Sequence, residues 1–206
     1  TGLIYIPGTY AETEEVIALA KAAAKNKGVY ASHIRNEENQ AVEAVNEAIN
    51  IGKEASIPVQ ISHFKIGGRS NWGKSDITLN LVKEARENGW DVTIDQYPYT
   101  ASSTNLGIRL PDWAFAGGND SLKARLNNPL IRAQIKKEML AQLAGYKFPN
   151  YSYAVVANYP SDTSMNGKNN SEINKLMGRK AKAKYEAEFI MVLVVKGGTQ
   201  MVDNSM

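Results

Sequence analysis

The sequence contains no cysteine and only two histidines among its 206 residues. Without cysteine the chain can form neither a disulfide framework nor a thiolate zinc finger, and it cannot use a thiol nucleophile. This composition is compatible with a reducing compartment, and we expect a cytoplasmic protein. The longest apolar run, Phe189 to Val195, is far shorter than the roughly 20 residues of a membrane-spanning helix. We therefore expect no membrane partner.

The sequence also has little excess of charge of either sign. The 24 Lys and Arg residues nearly balance 21 Asp and Glu residues, and the net charge is +3. Because we find no basic cluster, the composition does not favour nucleic-acid binding. The length suits one or at most two domains with a sizeable core. The first residues show neither an initiator Met nor a signal-peptide pattern, so we expect that the true N-terminus has been removed.

The two histidines lie in a repeat. His33 and His63 each follow a strand-like apolar segment and a serine, and they hold equivalent positions in the segments 28–35 and 58–65. A third such unit places Asp95 at nearly the same interval after His63. The period of roughly 30 residues is the length of one strand-plus-helix unit.

Between these segments the apolar residues recur at helical spacing. Helices are predicted over 11–25, 38–51 and 75–88. Strands are predicted at Leu3–Ile6, Gly28–Ser32, Val59–Ser62 and Asp91–Ile94. Alternation of strand and helix indicates a parallel sheet, either doubly wound or closed into a barrel.

The position of the polar side chains favours the barrel. Each falls at the carboxyl end of its strand, where a (β/α)₈ barrel builds its active site. A doubly wound nucleotide-binding sheet would carry a glycine-rich turn, but the segment 66–70 lacks the G-x-G-x-x-G spacing. The Gly-Lys-Ser of 73–75 matches a phosphate-binding loop only weakly, because it begins far from the preceding strand and includes bulky Trp72.

The regular period is lost from Pro98 to about Pro160. A small polar loop is predicted at 100–105, and the long irregular stretch is typical of an insertion after the fourth strand. Further helices are predicted at Ser121–Asn127, Pro129–Leu143, Ser171–Met177 and Ala181–Val195, and a strand at Tyr151–Ala157.

Two histidines that end neighbouring parallel strands can converge on a metal ion. Adjacent strands lie about 5 Å apart, and neutral imidazole nitrogens are good ligands for zinc. The alternative is that each histidine is an ordinary hydrogen-bonded residue. Catalytic zinc usually takes about three protein ligands and a water, so further ligands would have to come from elsewhere.

Other polar residues follow the strands. Arg35 and Lys65 each lie two residues after a histidine, where a cation can bind a substrate carboxylate or polarise its carbonyl group. Solvated loop charges are the alternative, and for Arg35 we expect a structural ion pair with Glu37. Asp95 has three open roles, as a base, a metal ligand or a residue that orients a neighbour. The hydroxyl of Tyr97 can donate to an oxyanion, or the ring can simply close a turn.

Four segments together resemble the D-aminoacylases, the N-acyl-D-amino-acid deacylases of the amidohydrolase superfamily. They are Ser32–Glu37, Gln60–Lys65, Asn71–Lys74 and Asp95–Thr104. The resemblance is dense from Gly2 to about Ala141 and weaker beyond. It implies a zinc-binding (β/α)₈ barrel whose substrate is a small N-acyl-D-amino acid.

The resemblance also implies roles for individual residues. His33 and His63 match the zinc ligands at the ends of the fifth and sixth strands, for one or two zinc ions in the whole protein. Four further residues match the substrate pocket: Lys65, Tyr97, Tyr5 and Ser103. The insertion matches a lid over the active site.

Several parts of the family pattern are missing. The chain has no His-x-His, no bridging cysteine and no eighth-strand aspartate to serve as ligand and base. It is therefore expected to be a central fragment, covering about strands four to seven of a (β/α)₈ TIM-type barrel with an inserted lid. The expected division is 1–98 for central βα units, 99–160 for the lid and 161–206 for a helical return to the barrel.

No catalytic residue is assigned within the chain, because the base is expected outside it. We expect the chain alone to be inactive or nearly so, and its open barrel edges allow self-association. Two alternatives stay open. One is another amidohydrolase acting on cyclic amides, similar to dihydroorotases and hydantoinases. The other is a non-catalytic barrel scaffold.

Overall fold

The computed structural model describes residues 1–196 and 199–204. It divides the chain into two compact units, Thr1–Pro98 and Tyr99–Met206. Both combine helices with a small sheet, so the fold is mixed α/β. Of the helices in 1–196 and 199–204, none combines the length and the hydrophobicity needed to cross a lipid bilayer.

The first unit contains a three-stranded parallel sheet, which confirms the predicted alternation. Its strands are β1 (Tyr30–Ser32), β2 (Val59–Ile61) and β3 (Val92–Ile94), and they lie in the order β1-β2-β3. Its helices are α1 (Thr13–Ala24), α2 (Ala41–Ala55) and α3 (Ser75–Glu87). Because strands that follow one another in the chain are neighbours in the sheet, their carboxyl ends meet at one edge.

Helix α2 packs most closely on the sheet. Val45, Ile49 and Ile51 are buried with Val59 and Ile61 of β2 in one apolar cluster. A Cβ on Gly52 would lie closer than 3.0 Å to Cγ2 of Val59. The absence of a side chain there lets the helix backbone approach the strand that leads to His63.

The predicted strand Leu3–Ile6 is wrong. Only Gly2 forms an isolated parallel bridge, with His33, and the backbone N–H of Leu3 donates to the His33 carbonyl at 3.0 Å. The chain then turns at once, with the Tyr5 N–H donating to the Gly2 carbonyl at 3.1 Å. Pro7 supplies no N–H to a ladder, and a 3₁₀ turn begins directly after it at Gly8.

The second unit holds an antiparallel sheet in the order β4-β6-β5. Its strands are β4 (Ser102–Asn105), β5 (Ala154–Asn158) and β6 (Gln200–Asp203). Its helices are α4 (Gly118–Asn127), α5 (Pro129–Gly145), α6 (Asn170–Leu176) and α7 (Ala183–Val195). The predicted polar loop at 100–105 is therefore wrong, because most of it is β4. Its central partner β6, which was not predicted, lies much later in the chain.

Two helices of the second unit, α5 and α6, begin directly after a capping asparagine. The Asn128 side chain accepts hydrogen bonds from the N–H groups of Leu130 and Ile131, and Pro129 occupies the first turn of α5. Asn169 and Glu172 form a reciprocal capping box at the start of α6. These caps satisfy backbone donors that a helix leaves unpaired.

Candidate metal centre

The two histidines of the chain lie side by side. His33 follows β1 and His63 follows β2, and Nδ1 of His33 is in direct contact with Nε2 of His63. The ring centroids are 4.3 Å apart and the rings are tilted by 47°. Neighbouring parallel strands thus bring together two nitrogens that belong to successive repeats of the sequence.

This donor pair fits a zinc ion. Burial and the nearby His63 lower the pKa of His33, although Glu37 acts in the opposite direction. The neutral imidazole is the form that binds metal. Within 1–196 and 199–204, no group of three or more His, Cys, Asp or Glu side chains is arranged to hold an ion. The two histidines would thus offer a metal two nitrogen ligands, one fewer than a catalytic zinc site normally takes from protein.

The backbone of His63 is held in an unusual conformation. Its φ is +40°, in the left-handed region that few residues other than glycine adopt. Its N–H donates to Oδ1 of Asp95 at 2.6 Å, and the Gln60 amide donates to Oδ2 at 2.8 Å. The bond from the His63 N–H, with that from Gln60, lowers the pKa of Asp95 despite some desolvation. Of the roles left open for Asp95, these contacts favour that of orienting His63.

Glu37 contacts the other side of the His63 ring. Its Oε1 is 2.9 Å from Nδ1 of His63, and its Oε2 is 2.5 Å from Nζ of Lys65. The Glu37 side chain is only 13% exposed. Burial raises the pKa of Glu37, but the hydrogen bonds from His63 and Lys65 outweigh it, so the pKa lies below the usual range. Glu37 is therefore an ionised group at the centre of the cluster.

The predicted pair of Arg35 with Glu37 is wrong, because Arg35 binds Glu47 of α2. Its Nη2 lies 2.8 Å from Oε1 of Glu47 and its Nε donates to Oε2 at 2.9 Å. Nη1 of Arg35 donates to the Thr9 carbonyl at 3.1 Å, and the Thr13 hydroxyl donates to Oε1 of Glu47 at 2.7 Å. This bidentate pair connects the loop after β1 to α2. Glu37 is therefore available to pair with His63. The spacing of charges along the chain did not distinguish the two glutamates.

Three of the four residues matched to a substrate pocket lie around the histidine pair. The Tyr5 ring meets the His33 ring edge-on, with centroids 5.2 Å apart, and Tyr5 is 41% exposed. The ammonium of Lys65 lies 5.8 Å from the centre of the half-buried Tyr97 ring. The fourth residue, Ser103, is exposed on β4 of the second unit.

Known proteins resemble the chain in sequence. No protein-family model matches it. A D-aminoacylase of Alcaligenes xylosoxydans xylosoxydans is 42% identical over 106 residues, and an N-acyl-D-glutamate deacylase of the same organism is 43% identical over 106 residues. An N-acyl-D-aspartate deacylase from that source is 37% identical over 109 residues. Each match covers 52% of this chain and 22% of the relative.

Solved structures resemble it over nearly its whole length. N-acyl-D-glutamate deacylase from Bordetella bronchiseptica, in complex with zinc and a phosphonate mimic of the tetrahedral intermediate, superposes with a TM-score of 0.69 at 24% identity. A D-aminoacylase described as defining a novel subset of amidohydrolases gives 0.66 at 28% identity. A D-aminoacylase studied for the role of its binuclear metal centre gives 0.68 at 25% identity.

The superpositions cover 99% of this chain but only 34%, 33% and 33% of those proteins, in the same order. The chain therefore spans about a fifth of the length of the curated relatives and about a third of the solved chains. By sequence over about half its length and by fold over nearly all of it, this chain is similar to the N-acyl-D-amino-acid deacylases, the D-aminoacylases.

Proposed function

We propose that the chain is part of a zinc-dependent amidohydrolase that hydrolyses the amide of N-acyl-D-amino acids to a carboxylate and a free D-amino acid. The observation that carries this proposal is the contact between Nδ1 of His33 and Nε2 of His63, at the carboxyl ends of neighbouring parallel strands. Relatives named for this activity share 37–43% identity with the chain over about half its length.

The sheet of the first unit supports a barrel origin. All three strands are parallel, and each is next to the strand that follows it in the chain, as in a (β/α)₈ barrel. We assign 1–98 to central βα units, about strands four to seven, with an inserted lid over 99–160 and a return to the barrel over 161–206. Self-association through open barrel edges stays a prediction, and so does the cytoplasmic location.

His33 and His63 would hold the metal through neutral ring nitrogens. Zinc, when bound, supplies Lewis acidity, which lowers the pKa of water and polarises a carbonyl group. One or two ions are expected in the whole protein. The remaining ligands and the general base would come from residues outside this chain.

Lys65, Tyr97 and Tyr5 would orient the substrate, and the pocket role matched to Ser103 stays a prediction. An ammonium has three N–H donors. One donor of Lys65 contacts Glu37 at 2.5 Å, and another reaches the His63 carbonyl at 3.3 Å. Nζ also lies 2.9 Å from Nδ1 of His63, so the third donor is available to a substrate oxygen when Nδ1 carries its own proton. Glu37 keeps the ammonium close to the two histidines.

Zinc titration tests the proposed centre. Isothermal calorimetry on the wild type, His33→Ala and His63→Ala should show that either substitution removes most of the binding, because one imidazole alone is a poor site. Glu43→Gln, which neutralises an exposed glutamate of α2, is the matched control and should bind like the wild type. Identical weak binding in all variants would instead identify the histidines as structural.

The same preparations test activity. With only two ligands and no base, the chain alone should hydrolyse N-acetyl-D-amino acids no faster than buffer containing zinc. Measurable turnover that disappears in His63→Ala would show that this chain carries a complete active site, contrary to our assignment.

A further inference from the structure

The Nδ1 atom of His63 has two neighbours with opposite requirements. Oε1 of Glu37 lies 2.9 Å from it, and Nζ of Lys65 also lies 2.9 Å from it. A carboxylate can only accept a hydrogen bond, whereas an ammonium can only donate one. The first neighbour requires a proton on Nδ1, and the second requires a bare Nδ1 with the proton on Nε2.

Losing the hydrogen bond to Nδ1 of His63 matters little for Lys65 but matters for Glu37. Lys65 already donates to Oε2 of Glu37 and to the His63 carbonyl, so it is satisfied without Nδ1. The carboxylate of Glu37 is largely buried, and a bare Nδ1 would set a lone pair against Oε1. Leaving a buried oxygen without a hydrogen bond is destabilising, and more so when the oxygen is charged.

We propose that Glu37 is a positioning residue that keeps the ring proton of His63 on Nδ1, so that the lone pair of Nε2 points at Nδ1 of His33. The part of this proposal that concerns metal binding rests on the proposed function. Metal-binding histidines commonly donate their second ring nitrogen to a carboxylate, which fixes the tautomer and ring orientation. Asp95 holds the backbone of the same residue by accepting a hydrogen bond from its N–H.

Ring ¹⁵N NMR of the zinc-free chain tests the tautomer directly. Spectra are recorded at about pH 8, above the ordinary pKa of histidine, and long-range ¹H–¹⁵N correlations separate protonated from bare nitrogens. His33→Ala leaves a single histidine and so assigns the signals of His63. The wild type should show His63 with a protonated Nδ1 and a bare Nε2, and a protonated Nε2 would overturn the proposal.

Two substitutions separate the neighbours. In Glu37→Ala, Nδ1 is left to Lys65, and His63 should switch to the form with the proton on Nε2. In Lys65→Met the wild-type tautomer should persist, and likewise in Glu43→Gln. An unchanged tautomer in a folded Glu37→Ala would also refute the proposal. If that variant does not fold, the wild-type spectrum still decides.

Zinc binding provides the second measurement. Loss of such a carboxylate typically weakens metal binding about 10- to 100-fold, and we expect this for Glu37→Ala but not for Glu43→Gln. Equal zinc affinity in both would argue against a positioning role. If the wild type itself binds no zinc, the proposed function fails, but the spectrum of the zinc-free chain still tests Glu37.

Discussion

Gly52 is the position where a single added methyl group should most disturb the candidate centre. In an exposed helix, Gly→Ala stabilises by about 1 kcal/mol, because glycine loses more backbone entropy on folding. Here the new Cβ would lie closer than 3.0 Å to Cγ2 of Val59, a distance that real Cβ atoms essentially never show. Val59 is 2% exposed in the central strand β2, and its β-branched side chain has little rotamer freedom.

Overpacking of this kind costs about 1–3 kcal/mol, and the stiff, enclosed partner favours the upper end. The steric cost therefore exceeds the gain in helix propensity, and Gly52→Ala should destabilise the chain by about 2 kcal/mol. Because β2 leads directly into the segment that carries His63, zinc binding should weaken as well.

Urea unfolding followed by circular dichroism measures this change. Gly145→Ala is the control for helix propensity, since a Cβ there meets nothing within 4 Å, and it should leave stability unchanged or raise it by up to about 1 kcal/mol. Val59→Ala combined with Gly52→Ala should cost less than the sum of the single changes, because the clash is gone. A Gly52→Ala protein as stable as the wild type would refute the reasoning.

The second unit yields two further predictions. Arg109 and Asp203 form a buried ion pair at 3.3 Å, so Asp203→Asn should lower the free energy of unfolding by about 3–5 kcal/mol, and a loss below about 1 kcal/mol in urea unfolding would contradict this. Burial raises the pKa of Glu188, but hydrogen bonds from Lys136 and Arg132 outweigh it and lower the pKa. Its stabilising contribution is thus present above the unfolded pKa and is lost as the pH falls through the folded pKa, so Glu188→Gln should flatten the acid side of a stability–pH curve.

The strand–helix repeat contained enough information to place the two histidines together. Helices α1, α2 and α3 and strands β1, β2 and β3 follow local periodicity, and all six are confirmed within a few residues of the predicted bounds. Once the strands are parallel and consecutive, the positions after β1 and β2 must be neighbours, whatever the details of packing.

Prediction from local sequence pattern was wrong where a strand pairs with a distant segment, and where a turn replaces strand pairing. Ser102–Asn105 is a polar stretch without strand periodicity, and it becomes β4 only because Gln200–Asp203 pairs with it. Leu3–Ile6 has strand composition, but the turns before Pro7 and the 3₁₀ segment after it end the pairing at Gly2. At β4 a distant strand pairing outweighed local preference, whereas at Leu3–Ile6 a local turn did so.

The sequence by itself determined the parallel strand–helix units and which two imidazoles meet at their ends, because these depend on short-range periodicity and chain order. Only the tertiary structure decided which carboxylate serves which cation. Arg35 pairs with Glu47 on helix α2, whereas Glu37 pairs with His63 and Lys65. Charge pairing depends on distances of a few ångströms between side chains, and the spacing of charged residues along the chain does not specify them.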